Sequence, residues 1–227
     1  MRDVGPPPPT EHEVVRGLAR PGPARPAAWR RVLLTAPHAC ETEPPCARPL
    51  DDPHSRALAR AVARALRARG IHATCLCATV PRRVHDQNRL KGLYAAGDLL
   101  PRLVRLPPLG DTLHLDVHTF TRERRPPEWG AGVNLIPVHG AAEQAWLAAA
   151  LARPLRGRVV PMRRLPRHPA DAESNGVIEW TRHRGATSVL MEAPVTYDAR
   201  DPTLFRPCLP GLAEAVAEAV APLCVTR

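Results

Sequence analysis

The stretch from Arg31 to Val80 constrains the fold more than any other part of the chain. "RVLLTA" (31–36) is a short apolar run, "DDPHSRALARAVARALRARG" (51–70) is amphipathic, and "IHATCLCATV" (71–80) is apolar again. Leu58, Val62 and Leu66 recur at helical spacing and so share one face. Asp51 or Asp52 can cap that helix, Pro53 suits its first turn and Gly70 stops it. Strand, helix, strand is the signature of a parallel βαβ unit, because parallel neighbours need a crossover connection long enough to span the sheet.

The alternation continues. "DTLHLDVHTF" (111–120) places Leu113, Leu115 and Val117 on one side and His114, Asp116 and His118 on the other. Further strands are expected at "GVNLIPV" (132–138), "GRVVPM" and "ATSVLMEAPV" (186–195), with helices at "AAEQAWLAAALARPL" (141–155) and "PGLAEAVAEAVAPL" (210–223). The predicted fold class is α/β: one domain over 29–227 with a mostly parallel mixed sheet flanked by helices. Residues 1–28, with "GPPPPT" and "ARPGPARPAAW", are expected to form an irregular lead-in.

The chain has 227 residues, 44% of them apolar, which is enough for one sizeable core. No run approaches the roughly 18 apolar residues of a membrane span, and "MRDVGPPPPTEHEVV" has no apolar centre such as a secretory signal carries. A cytoplasmic setting without membrane partners is therefore expected. Net charge is +10, carried by 31 arginines and the single lysine Lys91. The arginines are scattered, aromatics are only 4% and no helix carries a dense basic stripe, which argues against nucleic acid as a partner. The six cysteines (Cys40, Cys46, Cys75, Cys77, Cys208 and Cys224) include no C-x-x-C pair, so reduced thiols are expected.

Ligand sites of open α/β sheets collect at the carboxyl ends of the strands. Here those ends are polar. The first strand runs into His38 and Glu41, the second into "PRRVHDQNRL" with Asp86, Asn88 and Arg89, the third ends at Asp116 and His118, and a late one at Glu192. Two imidazoles and a carboxylate (His38, Glu41 and His118) make a three-ligand set of the kind catalytic zinc uses, with a fourth position left for water. Asp116 shares a strand face with His118 and can fix its tautomer as an outer carboxylate. Arg89 offers a planar fork to a carboxylate or a polarised carbonyl. Glu192 sits in the apolar strand "SVLME", where burial raises a carboxyl pKa toward the range of a general base. H-x-x-E or D-x-H alone equally describes surface or core residues; their joint placement at strand ends carries the reading.

These segments, in this order, resemble the N-formylglutamate amidohydrolase family and, more distantly, the zinc carboxypeptidases and the aspartoacylase/succinylglutamate desuccinylase group. "TAPHACETEPP" is similar to the family's Pro-His-Ser/Ala-Gly segment, "PRRVHDQNRL" to its arginine-valine-x-Asp-x-Asn-Arg segment, "LHLDVHTF" to its Asp-Leu-His-Ser segment, and "SVLMEAP" to the strand with its catalytic glutamate. The resemblance spans residues 31–195. It implies a mononuclear zinc hydrolase acting on an amide or peptide bond beside a carboxylate, with an N-acyl amino acid or a short peptide as substrate. It implies His38, Glu41 and His118 as zinc ligands, Glu192 as the residue that activates the attacking water, and Arg89 with Asn88 as contacts to the substrate, with Asp116 and Asp86 behind the ligands. Cys40 stands where the family has glycine, Glu43 is an alternative to Glu41, and Asn175 in "ESNGVIEW" is expected as a further substrate contact. The other two readings are a non-catalytic metal- or substrate-binding relative and a basic nucleic-acid-associated protein.

Overall fold

The computed structural model describes residues 10, 28–39, 52, 54–121, 133–136, 159–161, 176–195 and 208–226. In chain order the elements are β1 (Arg31–Ala36), α1 (Ser55–Ala68), β2 (His72–Cys77), α2 (Leu90–Ala95), α3 (Leu99–Val104), β3 (Thr112–Thr121), β4 (Val133–Ile136), β5 (Val159–Pro161), α4 (Gly176–His183), β6 (Thr187–Val195) and α5 (Cys208–Val220). The six strands form one sheet in the order β2-β1-β3-β6-β4-β5. All neighbouring pairs are parallel except β4 with β6. The sheet is thus mixed and mostly parallel, as the strand–helix alternation predicts. The expected helix over 141–155 and the lead-in over 1–28 lie almost wholly outside the described residues.

Both faces of the sheet are covered. On one, Val32 and Leu34 of β1, Leu113, Leu115 and Val117 of β3, and Val189 and Met191 of β6 pack with Leu58, Val62 and Leu66 of α1 and Val216 and Val220 of α5. Each large side chain buried there is worth about 1.5–3 kcal/mol relative to exposure. On the other, Leu33 packs with Leu90 and Leu93 of α2, Leu99 and Leu103 of α3, and Val177 and Trp180 of α4. The helices α2, α3 and α4 were not foreseen; six to eight residues show too little periodicity to read.

Some of the abundant arginine serves the backbone. Arg67 Nε donates to the Ala73 carbonyl at 2.9 Å, Arg102 to Cys77 at 2.7 Å and Arg56 to Ala78 at 2.9 Å, which occupies polar backbone groups along and just past the edge strand β2. Cys75 and Cys77 lie on the same side of that strand, sulfurs 3.6 Å apart, and both are free thiols.

Candidate metal centre

Strand register assembles the site. In the β1–β3 ladder Thr35 pairs with Asp116, and in the β3–β6 ladder His118 pairs with Glu192. The polar side of β3 therefore runs straight toward Glu192, while His38 follows β1 just past its end. His38 and His118 are both buried, with ring centroids 4.8 Å apart and planes crossed at 76°.

Between them lies Asp52. Its Oδ2 is 2.7 Å from His118 Nδ1 and 3.3 Å from His38 Nδ1. The expectation that Asp52 could cap α1 does not hold: His54 occupies the cap position with a left-handed backbone (φ 64°), and the Asp52 carboxylate turns to the histidines instead. Asp52 is the residue sequence reasoning did not assign to the site. The available signal was a second carboxylate pair, "DD", shortly after the first polar strand end.

Each histidine is also held from behind. His38 Nε2 lies 2.8 Å from Asp86 Oδ1, and His118 Nε2 lies 3.2 Å from Asp116 Oδ2. Asp86 is fixed in turn by the Asn88 backbone N–H at 3.0 Å and by Arg82 Nε at 3.2 Å. The loop carrying Asp86, Asn88 and Arg89 is clamped by close backbone approaches. A Cβ on Gly92 would sit 2.0 Å from the Asp86 carbonyl oxygen, and one on Gly176 would sit 2.5 Å from the Arg89 carbonyl carbon. The Gly176 N–H donates to the Asn88 carbonyl at 2.7 Å. Only glycine fits at either place. A buried Gln87 and Asp98 complete the brace, with the Gln87 amide donating to Asp98 at 3.0 Å.

The electrostatics follow from this packing. Burial alone would raise the Asp52 carboxyl, but the charge of His118 and hydrogen bonds from His118 and His38 overcome it and hold it well below the usual range. Asp86 and Asp116 are likewise held down against burial, chiefly by His38 and His118 respectively. Burial opposes charge on His118, yet Asp116 and Asp52 raise it well above an ordinary imidazole. Glu192 goes the other way: burial, opposed by His118 but reinforced by the negative charges of Asp52 and Asp116, pushes it up to about 8.

The donor atoms of His38, Asp52 and His118 all lie within 4.8 Å of one another. Two Nδ1 atoms converge on one carboxylate oxygen while both Nε2 atoms are backed by other carboxylates, which is how zinc-binding histidines are arranged. The residues present fit a zinc ion. Of the sequence-predicted site, the structure brings His38, His118, Asp116, Asp86 and Glu192 together and places Arg89 and Asn88 on the adjoining loop; Glu41, Glu43 and Asn175 lie outside the described residues.

Fold and site together define an α/β chain that gathers a His–Asp–His set suited to a metal from the segment after β1, the segment before α1 and the second half of β3. No family model matches the chain, and no curated protein matches it. Among solved structures it is similar to the product of gene Atu2144 from Agrobacterium tumefaciens, 19% identical over 91% of this chain and 90% of that one, with a TM-score of 0.50. It also matches a metallo-carboxypeptidase from Pseudomonas aeruginosa solved with (2-guanidinoethylmercapto)succinic acid, 13% identical over 95% of this chain and 69% of that one, with a TM-score of 0.49. The likeness to the Atu2144 product is one of fold; the second is more distant and assigns no reaction. Among the described residues, no helix is long and apolar enough to cross a membrane.

Proposed function

We propose that the protein is a zinc-dependent hydrolase that cleaves an amide bond next to a carboxylate, in an N-acyl amino acid such as N-formylglutamate or in a short peptide. The observation that carries this reading is the pair of histidines whose Nδ1 atoms share Asp52 while their Nε2 atoms are held by Asp86 and Asp116. The substrate class rests on the motif resemblance, not on the fold.

His38 and His118 would hold the ion, with Asp52 or Glu41 as the carboxylate ligand. Zinc bound there lowers the pKa of water toward about 7 and polarises a carbonyl oxygen. Glu192, cross-strand neighbour of His118, takes a proton from the attacking water and passes it to the leaving nitrogen. Its high pKa is set by burial among negative charges, so positive charge added at the cluster brings it down into the range of a base. Arg89 and Asn88, on the glycine-clamped loop, engage the substrate carboxylate or share the charge developing on the scissile carbonyl, an effect often worth about 3 kcal/mol per donor.

Metal analysis of the purified protein tests the reading. About one zinc per chain is expected, lost in His38→Ala and His118→Ala. Comparing Asp52→Asn with Glu41→Gln identifies the third ligand, whose loss should exceed the roughly 10–100-fold cost of removing an outer partner. A protein that stays metal-free under zinc-replete conditions overturns the proposal.

A further inference from the structure

A line of buried polar groups leads away from His118 across the sheet. Asp116 Oδ2 meets His118 Nε2 at 3.2 Å, and the Thr35 hydroxyl donates to Asp116 Oδ1. Thr35 Oγ1 lies 2.7 Å from His114 Nε2, His114 Nδ1 lies 2.8 Å from Thr181 Oγ1 on α4, and Thr181 Oγ1 lies 3.1 Å from Ser188 Oγ on β6. All six side chains are buried. They sit where an apolar filling would be equally available, beside Leu33, Val177 and Trp180, and such a filling is often no less stable than a polar one.

Proton counting gives the line a direction. A carboxylate only accepts, so the single proton of Thr35 goes to Asp116. The Thr35 oxygen must then accept, and His114 Nε2 donates to it. A neutral His114 with its proton on Nε2 has a lone pair at Nδ1, which takes the Thr181 proton. Burial supports the neutral form by pushing His114 down to about 4, although Asp116 opposes this. The Val177 and Ile178 carbonyls, 2.9 and 3.0 Å from Thr181 Oγ1, would receive that proton only if Nδ1 carried a hydrogen. Ser188 donates last, into Thr181. With Asp116 filled by Thr35 on Oδ1, its Oδ2 is left to accept from His118 Nε2.

We infer that Ser188, Thr181, His114 and Thr35 are positioning residues that, through Asp116, hold the Nε2 proton of His118 and so keep its Nδ1 turned to the Asp52 cluster, where a metal would replace the Nδ1 proton. The inference rests on the metal reading for its purpose, but the hydrogen-bond line can be tested without metal. In the metal-free protein, ¹⁵N spectra of the imidazoles should show His114 neutral with its proton on Nε2; a proton on Nδ1 reverses the line and overturns it.

Zinc affinity, measured by competition with a chelator, reads the purpose. Thr35→Val keeps the shape and removes the hydroxyl, and should weaken zinc about 10–100-fold, the usual effect of an outer partner. Thr35→Ser restores the hydroxyl in a smaller side chain and should return affinity to within about threefold of wild type. If Thr35 mattered only for packing, the ranking would invert, because valine fills the space better than serine. Valine binding zinc as tightly as wild type, or serine as weakly as valine, overturns the inference. Should Thr35→Val fail to fold, His114→Leu is read in the same assay: a severalfold loss is expected, and unchanged affinity counts against the line. Absence of zinc from the wild type sinks the metal reading by itself, while the His114 tautomer still decides the line.

Discussion

Leu113, Leu115 and Val117 on one side of β3 disappear into a core with α1 and α5, whereas His114, Asp116 and His118 on the other side bond to Thr35, Thr181 and Asp52. Both sets are buried. The first stabilises by leaving water and asks only for shape. The second removes charge and hydrogen-bonding groups from water, which is costly unless each one meets a partner. A strand that carries both shows the sheet anchoring the fold with one face and holding the candidate metal centre with the other.

That contrast can be broken by mutation. The largest effect is expected on the apolar side. Leu115→Ala should destabilise by about 2–5 kcal/mol in chemical denaturation, from about thirtyfold to several thousandfold in the folding equilibrium, as for other large-to-small core changes. A loss under 1 kcal/mol would show that this face is not the anchor.

Glu192→Gln keeps the shape and removes the basicity. It should fold and bind zinc like wild type yet lose at least about a hundredfold in kcat. Retained amidase activity rules out the base assignment, and failure to fold or to hold zinc moves Glu192 to the structural side of the comparison.

Arg89→Lys is expected to lower kcat/KM by more than about tenfold, because an ammonium cannot reproduce the two-pronged contact of a guanidinium. Unchanged kinetics on the best substrate would return Arg89 to the ordinary surface.

The smallest effect is the pH dependence of the metal-free protein, which isolates the polar side. Asp52, Asp86 and Asp116 are held below their ordinary 3.8, so their contribution is present above that value and is lost as pH falls through the lowered ones. His118 is held above 6.5, so its contribution is complete below 6.5 and is lost as pH rises through the raised value. Glu192, raised from 4.5 to about 8, acts in the same sense as His118, and stability falls between those two values. Thermal unfolding should therefore find the metal-free protein most stable at about pH 4 to 5, with at most about 1.4 kcal/mol per pH unit for each proton on the flanks. Saturating zinc should flatten the alkaline flank, since zinc takes the neutral imidazole. A flat profile without metal would mean that the histidine–carboxylate cluster adds nothing to folding.

Much of this was legible in the sequence. Strict alternation in "DTLHLDVHTF" already separated the two sides of β3, and the helical spacing of Leu58, Val62 and Leu66 marked the face that α1 buries. Both patterns follow from the geometry of a single element, where neighbours are set by period alone. His38, Asp116, His118 and Glu192 were readable as polar residues on the same grounds, although β3 and β6 do not end at His118 and Glu192 as expected but run on together to Thr121 and Val195. What Asp52 does was not readable. A carboxylate just before a helix has a local partner in the first turn, and its actual partners are His38 and His118, 14 and 66 positions away. Which of these it takes depends on where β1 and β3 deliver their histidines, and that is settled by the pairing of β1 with β3 in the sheet. The line from Ser188 to Asp116 is hidden for the same reason: Thr35, His114 and Thr181 come from three separate elements, and their hydroxyl and imidazole groups meet only because strand register and the seating of α4 bring them within 3 Å. Local pattern determined which residues face inward; tertiary pairing decided which of them touch, because hydrogen bonds and metal sites depend on distances between segments that one sequence period cannot specify.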